Sequence, residues 1–494
     1  MRKGLNIVLV LTLASLVALA PAYTLVSMAA TYPTTVSGNV IKIGMPISLS
    51  GKFATEGHQA LCGVIATIMW INDHGGVNVN GKTYKLQLIY YDDASSANNE
   101  PSIVQKLITQ DHVNFLLAPY SSGLTSAAAP IAEQYHVIML SHGGASNAIF
   151  QKGYHYLVQI LSPASEYFTG ALEIIKQYIP DAKIAFIYAN DKFASSVVQY
   201  AEQKAKQMGL DVVYSKAYEV GTSDFSTFIS AAKAAGANVL LGGGHFADGK
   251  ALVKQAHDLG WHLKFIAILV APAEPAFYQQ LDDIANGVAY PSQWEPGVKY
   301  SPQLAKQMGL EWFGPTVQEW ISYFNKAQSE VSICKGIGTP SYHAAEAGAA
   351  VLFLVKAIES AGTLDNAKVR QAMNNIDIMT FFGRLKIDPK TGLQIGHKMV
   401  VAQWQNGKRV VVWPPEVAQA KPLIAPPNWW PSTATTSTAS MSSTSASATT
   451  SSTTSTSSVT SSTTTKKTSK AVLWGSIIVI IIVIIVGVWL AVRK

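Results

Sequence analysis

From about residue 38 to residue 415 the chain alternates short β-rich runs with helical stretches, a pattern that few folds accept. Residues 41–47 read as a strand and 56–73 as a helix, followed by 86–91, 98–110 and 115–118, then 124–135 with 137–141. The scheme resumes at 183–188 and continues through 195–208, 212–217, 225–235, 239–242, 249–259 and 265–269. Strands alternating with helices in this way predict parallel sheets built from βαβ units. So many strands exceed one comfortable sheet, so two α/β domains are expected. Open parallel sheets bind ligands beyond the carboxyl ends of their strands, and two that face each other form a cleft a hinge can close. A site is therefore expected on the loops after Ile47, Ala118, Leu140, Tyr188, Gly242 and Leu269.

Both ends of the chain carry a different signal. Arg2 and Lys3 precede an apolar stretch over 7–19, and Ala20-Pro21-Ala22 and Met28-Ala29-Ala30 offer small-residue cleavage sites, so 1–30 reads as a secretory signal. Residues 471–492 contain no charge, and fifteen of the 22 are Ile, Val or Leu. That composition favours insertion by roughly 5–8 kcal/mol, and Trp474 and Trp489 stand near the two ends, where interfacial belts belong. One C-terminal transmembrane helix is the expectation. Between it and the globular part, 432–465 is almost only Ser, Thr and Ala, too polar to offset its ordering entropy. This segment reads as a disordered stalk. Lys466, Lys467 and Lys470 outnumber Arg493 and Lys494, a charge balance opposite to the orientation that the signal segment and stalk imply.

Composition excludes some functions. Of all residues 48% are hydrophobic and only 14% charged, and the net charge of +7 is spread with no run of five Lys or Arg. No nucleic-acid groove is expected. Asp92-Asp93 lacks a third ligand at useful spacing and reads as a loop cap, and the eleven His form no H-E-x-x-H or H-x-H pair, so no metal is expected. Gly242-Gly243-Gly244 lacks the Lys-Ser/Thr of a phosphate loop, and Gly144-Ala145-Ser146 lacks the second glycine of a nucleophile elbow. No nucleophile–base–orienter set is visible, so neither an enzyme nor a cofactor is expected. Cys62 and Cys334 are compatible with a disulfide outside the cell and equally with two small buried residues.

Several phrases occur in a fixed order: Ile41-Lys42-Ile43-Gly44, Leu49-Ser50-Gly51, Ile71-Asn72-Asp73-His74-Gly75-Gly76-Val77, Tyr91-Asp92-Asp93, Ser121-Ser122, Ser141-His142-Gly143-Gly144 and Ser223-Asp224-Phe225-Ser226. In this order the chain resembles the leucine/isoleucine/valine-binding protein family over about 38–415. The resemblance implies a two-lobed type I periplasmic-binding-protein clamshell with three crossovers. Lobe one would hold 38–160 and 290–378, and lobe two 161–289 and 379–415. It also implies a carboxylate-binding loop pair at Tyr120, Ser121 and Ser122, then Ser141, Gly143, Gly144 and Ala145 or Ser146. Hydroxyls and helix N-terminal amides there suit an anion, and Ser121 and Ser122 can cap the helix at the same time. Phe193, His245 and Phe246 are the expected contacts from lobe two, with Tyr290, Gln293 and Trp294 near the second crossover and Glu56 where the family often has an aromatic. The acid that would hold an α-amino group falls on Leu269, which turns the expectation toward a small carboxylate or amide as much as an amino acid.

The function that follows is an extracellular solute receptor of an ABC importer. It would catch a small-molecule solute, deliver it to a membrane permease complex, and be tethered to a single-membrane, archaeal-type surface. A ligand-sensing ectodomain acting through a partner membrane protein would use the same fold.

Overall fold

The computed structural model describes residues 29–426 and Trp429. The expected secretory signal up to residue 28, the expected stalk at 432–465 and the expected membrane span at 471–492 lie outside the described residues.

In chain order the strands are β1 (Ala30–Tyr32), β2 (Asn39–Ile47), β3 (Val77–Val79), β4 (Lys82–Asp92), β5 (Phe115–Leu117), β6 (Met139–Ser141) and β7 (Leu157–Gln159). They continue as β8 (Lys183–Ala189), β9 (Asp211–Tyr218), β10 (Val239–Gly243), β11 (Phe265–Ile268) and β12 (Ala289–Ser292). The last are β13 (Glu311–Trp312), β14 (Asp377–Thr380), β15 (Gly383–Lys386), β16 (Val400–Gln405) and β17 (Lys408–Trp413). One seven-stranded sheet runs β1-β4-β2-β5-β6-β7 with β3 beside β4, and a second runs β17-β16-β12-β11-β10-β8-β9. A small sheet β13-β14-β15 stands apart.

The centres of both large sheets are parallel, as the strand–helix alternation predicts. Ile41, Ile43, Met45 and Ile47 of β2 and Phe265, Ile266, Ala267 and Ile268 of β11 are fully buried, as strands covered by helices on both faces should be. The edges depart from that expectation. β1 and β3 run antiparallel to β4, and β16 and β17 form an antiparallel hairpin beside β12. The hairpin turns at Asn406-Gly407, both at positive φ, the pair favoured for a tight turn between twisted strands.

Five helices matter below: α1 (Ala54–Asp73), α2 (Ser122–Gln134), α3 (Lys192–Met208), α4 (Phe246–Asp258) and α5 (Tyr342–Ala361). α1 and α5 are apolar around most of their circumference and bury each other in lobe one. Their backbones touch at Gly63, where an added Cβ would lie 1.9 Å from the Ala344 carbonyl oxygen. Beside that contact Trp320 Nε1 donates to Thr67 Oγ1 at 2.9 Å. Cys62 of α1 and Cys334 form a disulfide, which decides between the two readings open from sequence. Among the described residues no single helix is long and apolar enough to cross a membrane.

The chain passes between the lobes after β7, after β12 and before β16. Three buried glutamines lash these passages together. Ser162 N donates to Gln293 Oε1 at 3.0 Å, Gln394 Nε2 donates to the Ile160 carbonyl at 3.0 Å, and Gln159 N donates to the Gly392 carbonyl at 2.8 Å. His397 Nε2 meets the Gln293 carbonyl at 2.8 Å.

The close approach at Gly63 makes a specific demand on packing. Gly63→Ala should destabilise lobe one by about 3 kcal/mol, the upper end of overpacking costs, as read by urea unfolding. Ala66→Gly on the same helix should cost about 1 kcal/mol, a matter of helix propensity.

Candidate functional site

The carboxyl ends of the parallel strands in the two sheets open toward one another, and each loop that leaves them contributes to the wall between the lobes. After β5 the chain runs through Tyr120 and Ser121 into α2, and after β6 through Gly143. An added Cβ on Gly143 would lie 2.6 Å from the Tyr120 ring, so this glycine lets the ring lie against the backbone. From lobe two, Asp191 follows β8, His245 follows β10, and Val270 follows β11.

A chain of buried hydrogen bonds crosses the gap. Asp191 caps α3, its Oδ1 accepting from the amides of Phe193 and Ala194 at 2.8 Å each. Its Oδ2 meets His245 Nε2 at 2.8 Å, and the other ring nitrogen of His245 meets the Tyr120 hydroxyl at 2.9 Å. Glu56, at the start of α1, accepts from the Phe246 amide at 2.9 Å and lies 4.0 Å from His245 Nδ1. Burial acts to lower the His245 pKa, but the negative charges of Asp191, then Glu56 and Asp248, outweigh it and hold it above the ordinary value. Burial likewise acts to raise Asp191, and the His245 charge overcomes it, so the pair is ionised. Asp248 completes the latch by accepting from the His245 amide at 2.8 Å.

A second bridge is neutral. Glu274 of lobe two meets His343 Nδ1 of α5 at 2.7 Å. Burial pushes the Glu274 carboxyl up to about 8, against the pull of Ser341 and Arg409, and pushes the His343 imidazole down to about 3. The carboxylic acid therefore donates to the imidazole at neutral pH. Ser341 Oγ also lies 3.5 Å from the same Nδ1, so serine and acid share one nitrogen and cannot form a proton relay through the ring.

Between these bridges lies a cavity walled by Tyr120, Ser121, Gly143 and Leu161, by Tyr167 and Phe193, and by Val270, Tyr342, His343 and Glu346. It has about 10 Å³ of room for the centre of a water molecule, enough for roughly one. The Tyr167 and Phe193 rings meet edge to face at 5.2 Å, and Tyr120 stands against His343 at 5.0 Å. Val270 holds φ +58°, ψ −63°, with the Ala271 amide donating to the Leu269 carbonyl at 2.6 Å. This is a γ-turn of the strained hand, and a β-branched residue at its centre is a marked outlier of the kind that gathers at ligand-binding walls.

The twelve residues singled out from sequence thus fall into three groups. Tyr120, Ser121, Gly143 and Phe193 line the cavity, while His245 and Phe246 belong to the bridge. The remaining six stand behind or beside it. Ser122 Oγ accepts from the Ser146 amide at 3.1 Å, and Ser141 Oγ accepts from the Gly144 amide at 3.1 Å, so both hydroxyls brace the loops. Ala145 is buried, its carbonyl accepting from the Ala164 amide. Ser146 lines a separate groove of about 240 Å³ with Lys152 and Lys192. Leu269 is fully buried, and its neighbour Val270 is the residue of that loop that reaches the cavity. Ser121 occupies the N-cap position of α2 without a capping bond from its side chain. Of the crossover residues, Gln293 ties the hinge, Trp294 packs edge to face on Trp320, and Tyr290 donates to Glu295 at 2.7 Å.

The sequence reading missed Tyr167, Tyr342, His343 and Glu346. For the last there was a signal: between Lys335 and Lys356 it is the only Asp, Glu, Lys or Arg, in an otherwise apolar helix. Its spacing of four from Tyr342 puts both on one helix face. Among the described residues no group of three or more His, Cys, Asp or Glu is arranged to hold a metal.

A family model described as periplasmic binding protein matches residues 40–409. Leu/Ile/Val-binding protein homolog 7 of Brucella abortus is 25% identical over 397 residues, spanning 76% of this chain and 92% of that one. Among solved structures, the branched-chain amino acid transporter substrate binding protein LivJ of Streptococcus pneumoniae, in complex with isoleucine, superposes with a TM-score of 0.63. It is 20% identical and spans 75% of this chain and 98% of its own. A solute binding protein of an ABC transporter from R. palustris, in complex with 4-hydroxybenzoate, gives a TM-score of 0.63 at 19% identity, over 79% of this chain and 99% of that one.

The neutral Glu274–His343 bridge sets a pH dependence. A carboxyl raised from its ordinary 4.5 to about 8 contributes stability that is whole below pH 4.5 and lost as pH rises through 8. The thermal midpoint should therefore fall between pH 6 and 9, and Glu274→Gln, which keeps a donor for His343, should flatten that limb. An equal slope in the variant would show that the acid is ionised in the folded state.

Proposed function

We propose that this chain, which belongs to the periplasmic binding protein family, is the solute-binding receptor of an ABC importer, held at the outer face of a cell membrane by its own C-terminal segment. The observation that carries the reading is the aromatic and polar cavity where two parallel sheets face each other, bridged by Tyr120–His245 and Glu56–Phe246. A ligand that adds contacts to both walls favours the closed arrangement of the lobes, and a permease that distinguishes closed from open reads occupancy without covalent chemistry. The hinge supports this, because its three passages are tied by hydrogen bonds local to the passages themselves.

Relatives of this fold carry solutes of two kinds, isoleucine in the Streptococcus protein and 4-hydroxybenzoate in the R. palustris protein. Both are small, with a carboxylate and an apolar body, and the wall of Tyr120, Tyr167, Phe193 and Tyr342 suits such a body. The surface location is supported by the secretory signal at 1–30, the uncharged span 471–492 and the Ser/Thr stalk, which extended would reach up to roughly 110 Å. The Cys62–Cys334 disulfide fits an oxidising exterior.

Two measurements test the proposal. A thermal-shift screen against amino acids, amides, aromatic acids and sugars should single out one class by a rise of several degrees in the midpoint, whereas no response to any small solute would remove the receptor reading. Deleting residues 466–494 should release folded protein from the cell surface into the medium. Retention on the cells would mean that something other than this segment anchors it.

A further inference from the structure

One carboxylate in the cleft has no partner. Glu346, in the first turns of α5, is 0% exposed, and neither of its oxygens accepts a hydrogen bond. It stands in the cavity wall with Tyr120, Tyr167, Phe193, Tyr342 and His343, and no Lys or Arg lines that cavity. Every other acid around the cleft is engaged. Asp191 holds His245, Glu56 accepts from Phe246, Glu274 bridges to His343, and Asp248 accepts from the His245 amide. A buried carboxyl without hydrogen bonds costs folding free energy, and such a group persists where something outside the chain completes it. Burial pushes the Glu346 carboxyl well above its ordinary range, so an incoming cation beside these aromatic faces is what would draw it into the ionised form.

Resting on the solute-receptor reading above, we propose that Glu346 is the recognition carboxylate of this cleft and that its solute carries a positively charged nitrogen, held by Glu346 within the tyrosine-lined wall. Such a solute enters with its cationic end toward α5 of lobe one. The loop after β11, whose Leu269 and Val270 carry no charge, then closes over its apolar part. This separates the site from one built for an aromatic acid. An anion in the same place would find no Lys or Arg in the wall to pair with.

Matched pairs of solutes test this on the full-length chain by calorimetry. Leucine is compared with 4-methylpentanoate, which lacks the amine, and benzylamine with benzoate. The amine of at least one pair should bind, its acid counterpart should bind about 30-fold more weakly or not at all, and Glu346→Gln should cost the amine about 30-fold in affinity. The thermal midpoint of Glu346→Gln should equal or exceed that of the unaltered chain, since no intramolecular partner is lost. Glu346→Ala serves as a second variant should the glutamine fail to fold. Benzoate or 4-methylpentanoate binding more tightly than its amine, or an affinity unchanged in both variants, would overturn the assignment and leave the receptor standing. Binding of none of the four, nor of any solute in the wider screen, would overturn both.

Discussion

Everything between the lobes depends on polar side chains taken out of water at the meeting of two apolar sheets. Burying a charge is costly unless it is paired, and the paired groups here reach across the gap. Asp191 ionises His245, which meets Tyr120 on the other lobe, and Glu274 stays protonated so that it can donate to His343. Separation of the lobes breaks the bonds from His245 to Tyr120 and from Glu274 to His343 but returns each group to water, so the two arrangements differ by a small balance of large terms. A solute that adds a few contacts is enough to decide between them. The buried acids are thus both a cost to stability and the means by which closure can respond to a ligand.

The rest of the architecture keeps that balance local. The sheets carry the core: β2 and its neighbours lie under α1 and α5 in one lobe, and β8 to β12 under α3 and α4 in the other. The Gly63–Ala344 contact and the Cys62–Cys334 link stiffen lobe one behind the cleft. Gln159, Gln293 and Gln394 hold the three crossovers in a single bundle, so rotation is confined to a few residues. Rigid bodies joined at a narrow hinge are what a reader outside the protein can distinguish as open or closed.

Much of this was legible in the residues. Alternation of β-rich and helical runs implied two parallel-centred sheets, and strand ends located the loops of the site, including Tyr120, Ser121, Gly143, Phe193 and His245. The antiparallel edges were not legible, because a short edge strand such as β1 or β3 has too few residues to declare its direction. Ser122, Ser141 and Ser146 looked like ligand contacts because hydroxyls on such loops suit an anion. In the folded chain the hydroxyls of Ser122 and Ser141 accept from nearby amides, and Ser146 lies in a neighbouring groove. Local sequence offers both roles, and only the position of the neighbouring loop separates them.

What the sequence determined by itself was the class of chain: two α/β layers with strand ends facing a cleft, set by periodicity and composition. Tertiary structure alone decided which groups meet. Glu346 lies more than 220 residues from Tyr120, in a helix that sequence marks only as apolar with one carboxylate, and folding brings both into one wall. The pairing of Cys62 with Cys334, the protonated state of Glu274 and the lone state of Glu346 have the same origin. Each depends on burial and on which groups distant along the chain come near, and neither is written in a residue's immediate neighbours.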